Sequence, residues 1–416
     1  MSVTAKEIQD GAAVPAPHSD NDSSLGLRGS PDELGHRQAR TPWSVRRGRP
    51  RLYTNYGREQ GLWNTPAKAW WTFGAVLLAV AAPFFLTTDL TMLLALAAVY
   101  AIGGIGLNLL TGYAGQISLG HAFFVGAGAY TAAVFGGEST SRVWGLGWDM
   151  ALWLPLSAII PGLLGLLFAP LASRVRGLYL ATLTLGLLML GEHVYREWHS
   201  VTGGGGVGRA PASLTLFGAD LSLTYRIGPL LLTRQVTLYL ICLVLLIVLA
   251  LAARNIARSK VGRSFAAVRD RDIAAEIMGV PLQRTKTLAF ALSSAYAGVC
   301  GALLSVVIGR ISPERWNLLL SIDFLAIVLI GGMATISGSL IGAAFVVLLP
   351  RLIEDTAHFL PFITGQGVSG AGLTVDEFKT IVFGLLIVLF VVLEPRGLFG
   401  LWTRMRNYFR GWPFSY

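Results

Sequence analysis

The chain has 416 residues, of which 53% are hydrophobic and only 13% charged, and it carries a formal net charge of +10. Soluble chains of this length carry about a quarter charged residues, so the composition excludes an ordinary water-soluble enzyme and points to the membrane. The positive excess does not indicate nucleic acid, because of 33 basic residues ten precede residue 69, eight lie in 254–286 and four follow residue 394. Clusters of that kind belong to the loops on the cytoplasmic side of a membrane protein.

Residues 1–66 are rich in Ser, Gly, Pro, Asp and Arg and contain no apolar core of the kind a cleavable signal peptide has. They are expected to form a disordered basic cytoplasmic tail, with "RRGRPR" at 46–51 near anionic head groups. Beyond the tail, runs free of Asp, Glu, Lys and Arg occur at 69–88, 90–137, 150–173, 235–253, 287–309 and 324–350. A spanning helix needs roughly 20 apolar residues, so the longest run holds two.

The predicted architecture is all-α, a polytopic helical membrane protein with spans at 69–87, 90–111, 114–135, 152–171, 178–197, 236–253, 286–308, 316–334, 338–356 and 378–394. Within 316–356, "IGGMATISGSLIG" is either the middle of one long helix or the turn of a hairpin. Parity favours the hairpin. With about ten spans, both termini, "SRVRG" (173–177) and the basic loop 257–285 all fall on the cytoplasmic side, as the positive-inside rule asks. The permease-like membrane domain then covers 67–402, followed by a cytoplasmic tail at 403–416. The external loop 199–235 opens with "TGGGGVG", which offers nothing to pack and is expected to be mobile unless a partner orders it.

The stretch "GYAGQISLGHAFFVGAG" (112–128) concentrates glycines and uncharged polar groups inside the longest charge-free run. Glycines let neighbouring helices approach closely and permit a helix to break where freed backbone lines a cavity. Ser118 and His121 share a face of a regular helix, but Gln116 joins them only if the chain unwinds. Two readings stand: a polar trio lining a solute path, or a tightly packed helix with each group bonded to a neighbour. Asn108, Thr182 and Thr184 are further lining candidates. Glu192 and Arg196, four residues apart, suit a local ion pair, with a place for Glu192 in the path as the alternative. Asp323, in mid-span, either caps a helix or serves transport, since an intramembrane carboxylate is costly to keep.

Reaction chemistry is missing from the sequence. The histidines show no zinc-ligand spacing, and the five lysines are preceded by Ala, Ala, Ser, Thr and Phe, so no nucleotide phosphate loop is possible. The expectation is a transport subunit, not an enzyme, with no metal or cofactor of its own; any ATP belongs to partner subunits. The two cysteines, Cys242 and Cys300, lie in apolar runs and read as small buried hydrophobes.

The segment "GRSFAAVRDRDIAAEIMGVPLQRTK" (262–286) holds a short helix candidate of about three turns that Asp270 or Asp272 can cap and that Gly279 and Pro281 stop. Ala274, Ala275, Ile277 and Met278 form its apolar face, edged by Arg269 and Arg271. It suits either a groove on another protein or the head-group layer. "AAEIMG" resembles the coupling-loop core of binding-protein-dependent ABC permeases, although Ile273 stands where a Glu is usual.

A wider resemblance runs through "GLNLLTGYAGQISLGHAFFVGAGAY" (106–130), "RGLYLATLTLG" (176–186), the 262–305 region, "DFLAIVLIGGMATISGSLIGAA" (323–344) and "EPRGLFG" (394–400). In order and spacing these resemble the permeases of the branched-chain amino acid ABC transporter family, in particular the longer of its two permease subunits. The resemblance implies an importer in the cell membrane that carries branched-chain or other small amino acids inward. Its partners would be two cytoplasmic ATPase subunits, a second homologous permease and an external solute-binding protein. It also implies transmission through Arg263, Arg269, Asp270, Asp272, Ala274, Ala275, Met278 and Gly279. The loop "TGGGGVGRAP" lacks the Asn or Asp common after "TGG", which leaves urea, short amides and small carboxylates as alternative cargo. An ion-coupled secondary transporter or a passive pore subunit are the rival classes.

Overall fold

The computed structural model describes residues 66–411 apart from 176, 207, 228–229, 358–362, 365–372 and 395–396. The N-terminal tail, His358 and most of the loop 357–377 therefore lie outside the described residues. The apolar runs form helices α1 (Pro66–Ala81), α2 (Thr88–Asn108), α3 (His121–Gly136), α4 (Met150–Arg174), α5 (Leu178–Glu197) and α6 (Arg234–Arg258). Two helices absent from the list of spans follow, α7 (Lys260–Asp270) and α8 (Asp272–Ile277). The chain then continues through α9 (Leu282–Ile308), α10 (Leu318–Gly331), α11 (Ile336–Ala357), α12 (Val375–Leu393) and α13 (Gly397–Gly411). Among the described residues six helices are long and apolar enough to cross a membrane. The chain is a polytopic helical membrane protein.

Helices α2 and α9 occupy the centre, α9 packing on α4, α3 and α2, and α2 in turn on α11 and α6. Both are rich in Ala and Gly, and α9 in Ser as well; without a hydrophobic drive between helices in lipid it is close backbone approach that holds them. The tightest crossing joins α3, α4 and α9. A β-carbon on Gly128 would overlap the backbone of Gly298, one on Gly298 the carbonyl of Ser157, and one on Gly301 the carbonyl of Val125. Large apolar side chains face outward instead, as on α4 (Leu163, Leu167) and α12 (Leu385, Val392). That inversion is what a lipid solvent permits and water does not.

Three expected features take definite form. The span placed at 114–135 begins as helix only at His121, because residues 114–120 leave the helix. The segment 316–356 is a hairpin, with the short α10 of 14 residues and α11 joined by a tight turn. In that turn Gly332 and Ala334 have φ of 122° and 58°. The third concerns the C-terminus: α13 runs straight through residue 403, so the described part of the expected tail is helix.

The loop 199–235 is also more ordered than its glycines suggest, and it adds small β-structure to an otherwise helical chain. Gly203, Gly204, Gly206 and Gly208 all adopt positive φ, a conformation open to glycine. Arg209 organises them. It is 5% exposed, and its guanidinium donates to the carbonyls of Ala133, Trp144 and Val201. Its backbone pairs both ways with Ile311, at 2.9 and 3.0 Å, and Gly206 N donates to Glu314 Oε1 at 3.2 Å. Burial pulls the Arg209 guanidinium below its ordinary pKa, yet an arginine stays charged. The carbonyls around it supply the ordering expected of an external partner. Two hairpins complete the loop, β1 (Thr215–Leu216) with β2 (Ala219–Asp220) and β3 (Tyr225–Ile227) with β4 (Leu230–Leu232).

Substituting Gly301→Val is expected to overpack the α3–α9 crossing by about 1–3 kcal/mol and to lower the apparent unfolding temperature in detergent by several degrees. Gly186→Ala, where the added carbon meets no heavy atom within 4 Å, should leave it unchanged. Equal thermal shifts for the two would show that the crossing is looser than described.

Candidate functional site

The site is built around the break between α2 and α3. The last turn of α2 widens into a π-turn at Leu109–Tyr113, and the chain then runs without regular structure to Gly120. Glycines make this possible at two places. Gly115 has φ of 71°, and its missing side chain leaves room for the backbone and stem of Arg269 from α7. At Gly120 a β-carbon would crowd the carbonyl of Thr184 on α5.

The freed backbone groups have partners. Gln116 N donates to Leu110 O at 3.0 Å, and Thr111 Oγ1 to Gln116 O at 3.0 Å. Leu119 N donates to Thr184 Oγ1 and Ala122 N to Ser321 Oγ, each at 3.0 Å. Ser118 Oγ accepts from Gly120 N at 3.3 Å. His121 is 2% exposed, with Nε2 3.1 Å from Gly103 O. A carbonyl only accepts, so Nε2 carries the proton. The polar trio is thus buried, with Gln116 and Ser118 on the unwound chain and His121 opening α3. Ser118 and His121 bond within the protein. Gln116 borders a niche of about 220 Å³ shared with Arg269, Asp270, Asp272 and Lys286, and its Nε2 has no partner among the described residues.

Asn108 acts as a clamp. Its Oδ1 accepts from Ala334 N at 2.8 Å, while Nδ2 donates to Thr335 O and Ser339 Oγ, both at 2.8 Å. One buried amide therefore holds the α10–α11 turn, with its left-handed Ala334, against the end of α2. Thr182 is exposed and bonds Tyr179 O in its own helix. Glu192 forms a 2.9 Å ion pair with Arg196 on the same helix.

Asp323 stands apart from the break. It lies in a cavity of about 770 Å³ between α2, α9, α10, α11 and α12, together with Asp89, Tyr100, Arg351 and Glu354. The cavity borders the end of α9 remote from α7 and α8. Aromatic rings lead from it to the break: Tyr100 stacks on Phe324 at 5.1 Å, and Phe324 meets the His121 ring edge-on at 5.0 Å. Asp89, Arg351 and Glu354 were not singled out in the sequence. Their only signal there is that Asp89 immediately precedes the charge-free run beginning at 90 and Arg351 ends the one beginning at 324.

The coupling candidates lie at the opposite end. Arg269 Nη1 donates to Gly112 O at 3.0 Å and its guanidinium also pairs with Asp270. Arg263 is exposed on α7 and donates to Arg258 O. α8 has six residues, fewer than the three turns expected, and neither Asp270 nor Asp272 caps it: Arg271 occupies the N-cap without a side-chain bond. Asp272 instead lies 3.9 Å from Lys286. Ala275 turns inward, so the apolar face splits, leaving Ala274 and, at 62%, 80% and 84% exposure, Ile273, Ile277 and Met278 outside. Gly279, with φ of 83°, ends the helix.

Replacing Asn108 with Leu would orphan a buried backbone N–H and the groups it bonds. A loss of about 3 kcal/mol is expected, with faster proteolysis at the 332–335 turn; an unchanged digestion pattern would show that the turn holds without the clamp.

The profile described as "Branched-chain amino acid transport system / permease component" matches residues 90–391. The chain is 30% identical over 338 residues to the high-affinity branched-chain amino acid transport system permease protein LivM of Escherichia coli strain K12, covering 78% of this chain and 73% of that protein. It is 28% identical over 266 residues to the probable branched-chain amino acid transport permease protein LivH of Methanocaldococcus jannaschii, covering 62% and 76%. A shorter similarity, 28% over 141 residues and 33% of this chain and 37% of the other, joins it to the fructose import permease protein FruG of Bifidobacterium longum. No solved structure matches the chain significantly. Taken with the helical membrane architecture, these matches place the chain in the family of permease components of branched-chain amino acid transport systems.

Proposed function

We propose that this multi-pass membrane protein is the pore-forming permease subunit of an ATP-driven importer for branched-chain or other small amino acids. In this reading ten helices cross the bilayer and both ends are cytoplasmic. Two ATPase subunits dock on the α8 knob, a second homologous permease completes the pore, and an external solute-binding protein delivers the cargo. ATP is bound and hydrolysed on the partners.

The observation that carries the reading is the brace between α7 and the break. The exposed Ile273, Ile277 and Met278 offer a partner a compact apolar grip. A displacement of α8 passes to α7 through Arg271, the one residue between them. Arg269 then bears on Gly112, in the π-turn, and on Gly115, where the regular helical ladder has ended. A motor that binds two conformations with different affinity shifts their populations by that difference alone. The break is the element able to exist in two arrangements.

The path proposed runs from the Asp323 cavity to the break. Carboxylates and Arg351 in the cavity suit the ammonium and carboxylate ends of a zwitterion, while its apolar walls suit an aliphatic side chain. The Tyr100–Phe324–His121 rings close the route in this conformation, and Thr184, Ser118 and Gln116 line it when the break opens. Thr182 and Glu192, bonded within α5, have no place on it.

Two variants separate docking from transmission. The double substitution Ile277→Asp with Met278→Asp is expected to abolish co-purification of the ATPase subunits. Arg269→Ala is expected to retain them while uptake into proteoliposomes falls about tenfold, the effect of ~1.4 kcal/mol of lost coupling. Retention of the ATPases by the first variant, or full uptake by the second, would count against the lever. Asp323→Asn should lower uptake with assembly intact. Concentrative uptake by the purified chain alone would overturn the importer reading.

A further inference from the structure

Helix α13 is attached to the fold at one end and along one side. Gly397, with φ of 64°, fits against Gly332 of the α10–α11 turn, where a β-carbon would lie 2.6 Å from Gly332 N. Glu394, 8% exposed, forms a 3.0 Å ion pair with Arg404 two turns along. Thr403 bonds back to Phe399 and Gly400. The helix is thereby held in one direction at the end of the bundle that carries the break.

Its remaining surface is divided. Leu401, Trp402, Met405, Tyr408 and Phe409 recur at three- and four-residue steps and so share a face. Their exposures are 38%, 55%, 54%, 61% and 73%. Asn407 lies on the opposite side, and Arg404 and Arg406 border the apolar arc on its two edges. Arg406 has no partner among the described residues. The preceding helix, α12, also carries exposed apolar side chains, the last of them Val392, which is 72% exposed.

From this division we infer that α13 is an interfacial helix that seats its aromatic face at the boundary of head groups and acyl chains, with Arg406 directed to anionic lipid phosphates and Arg404 held by Glu394. Three physical reasons converge. An arc of aromatic and aliphatic side chains is not left in water. An amphipathic helix with basic edges is the form that lies in the membrane plane. The preceding helix α12 presents exposed apolar side chains of the kind that face lipid, and only three residues separate α13 from it. The Arg406 guanidinium flanking the arc favours a negatively charged leaflet, adding attraction that salt screens.

The test uses the full-length chain in phosphatidylcholine vesicles with and without phosphatidylglycerol. Cys242 and Cys300 are buried, so a nitroxide can be placed selectively through Met405→Cys or Asn407→Cys. Relaxation by oxygen, which partitions into lipid, is compared with relaxation by a water-soluble nickel chelate. The expected result is at least a twofold higher oxygen-to-nickel ratio at 405 than at 407. That ratio should rise with phosphatidylglycerol and lose the rise in Arg406→Gln. Equal ratios at the two positions, indifference to phosphatidylglycerol, or shielding at 405 that appears only when ATPase subunits are added would overturn the inference, the last by assigning the face to a protein. The measurement involves neither solute nor ATP hydrolysis, so its outcome is independent of the transport reading.

Discussion

A backbone that leaves the helix inside a membrane must find its hydrogen bonds within the protein, because the surrounding hydrocarbon supplies none. Everything specific to this chain depends on how that demand is met between Leu109 and Ala122. The π-turn keeps part of the ladder, Thr184 and Ser321 reach in from α5 and α10, and Arg269 reaches in from α7 to the carbonyl of Gly112. The break is thus connected by single hydrogen bonds to three other elements. Such a junction is held by a few separate bonds, whereas an uninterrupted helix is held by a continuous ladder of its own.

The same junction explains why Arg269 and Gly115 meet. A side chain at 115 would need an unfavourable φ and would occupy the space of the arginine stem. Glycine there serves the contact with α7 as much as the bend. Asn108 repeats the principle one turn earlier: its amide satisfies a turn whose Ala334 sits in a left-handed conformation that costs energy for a residue with a β-carbon. Two strained places, one at each side of the α2 terminus, are held by a single polar side chain each. Other hydroxyls, such as those of Thr131 and Ser294, bond carbonyls of their own helices, whereas Asn108 and Arg269 reach irregular backbone.

At the far end the charge is arranged differently. Arg209 is buried among carbonyls and shapes a glycine loop, while Asp323, Arg351 and Glu354 face an open cavity. The first is an internal fastener, and the second group is accessible to solute. The two ends of the molecule therefore differ in chemistry, charged groups lining the cavity at one and exposed apolar side chains marking the α7–α8 end at the other. The rings of Tyr100, Phe324 and His121 lie between them.

The sequence by itself determined the class of fold, because hydrocarbon thickness imposes a length and a lack of charge that any reader can count. It also marked the break, since a cluster of glycines with Gln116, Ser118 and His121 has no ordinary place in a spanning helix, and it marked the hairpin at 332–335 through parity of the positive loops. Only the tertiary structure decided what these polar groups touch. Asn108 and Ala334 are 226 residues apart, and no periodicity links them. Arg269 reads in the sequence as a coupling candidate with no visible partner, and Arg209 as a charge in a loose loop; the carbonyls they bond depend on how distant helices cross. Local patterns record the solvent each segment faces, whereas hydrogen-bond partners are set by packing across the whole bundle.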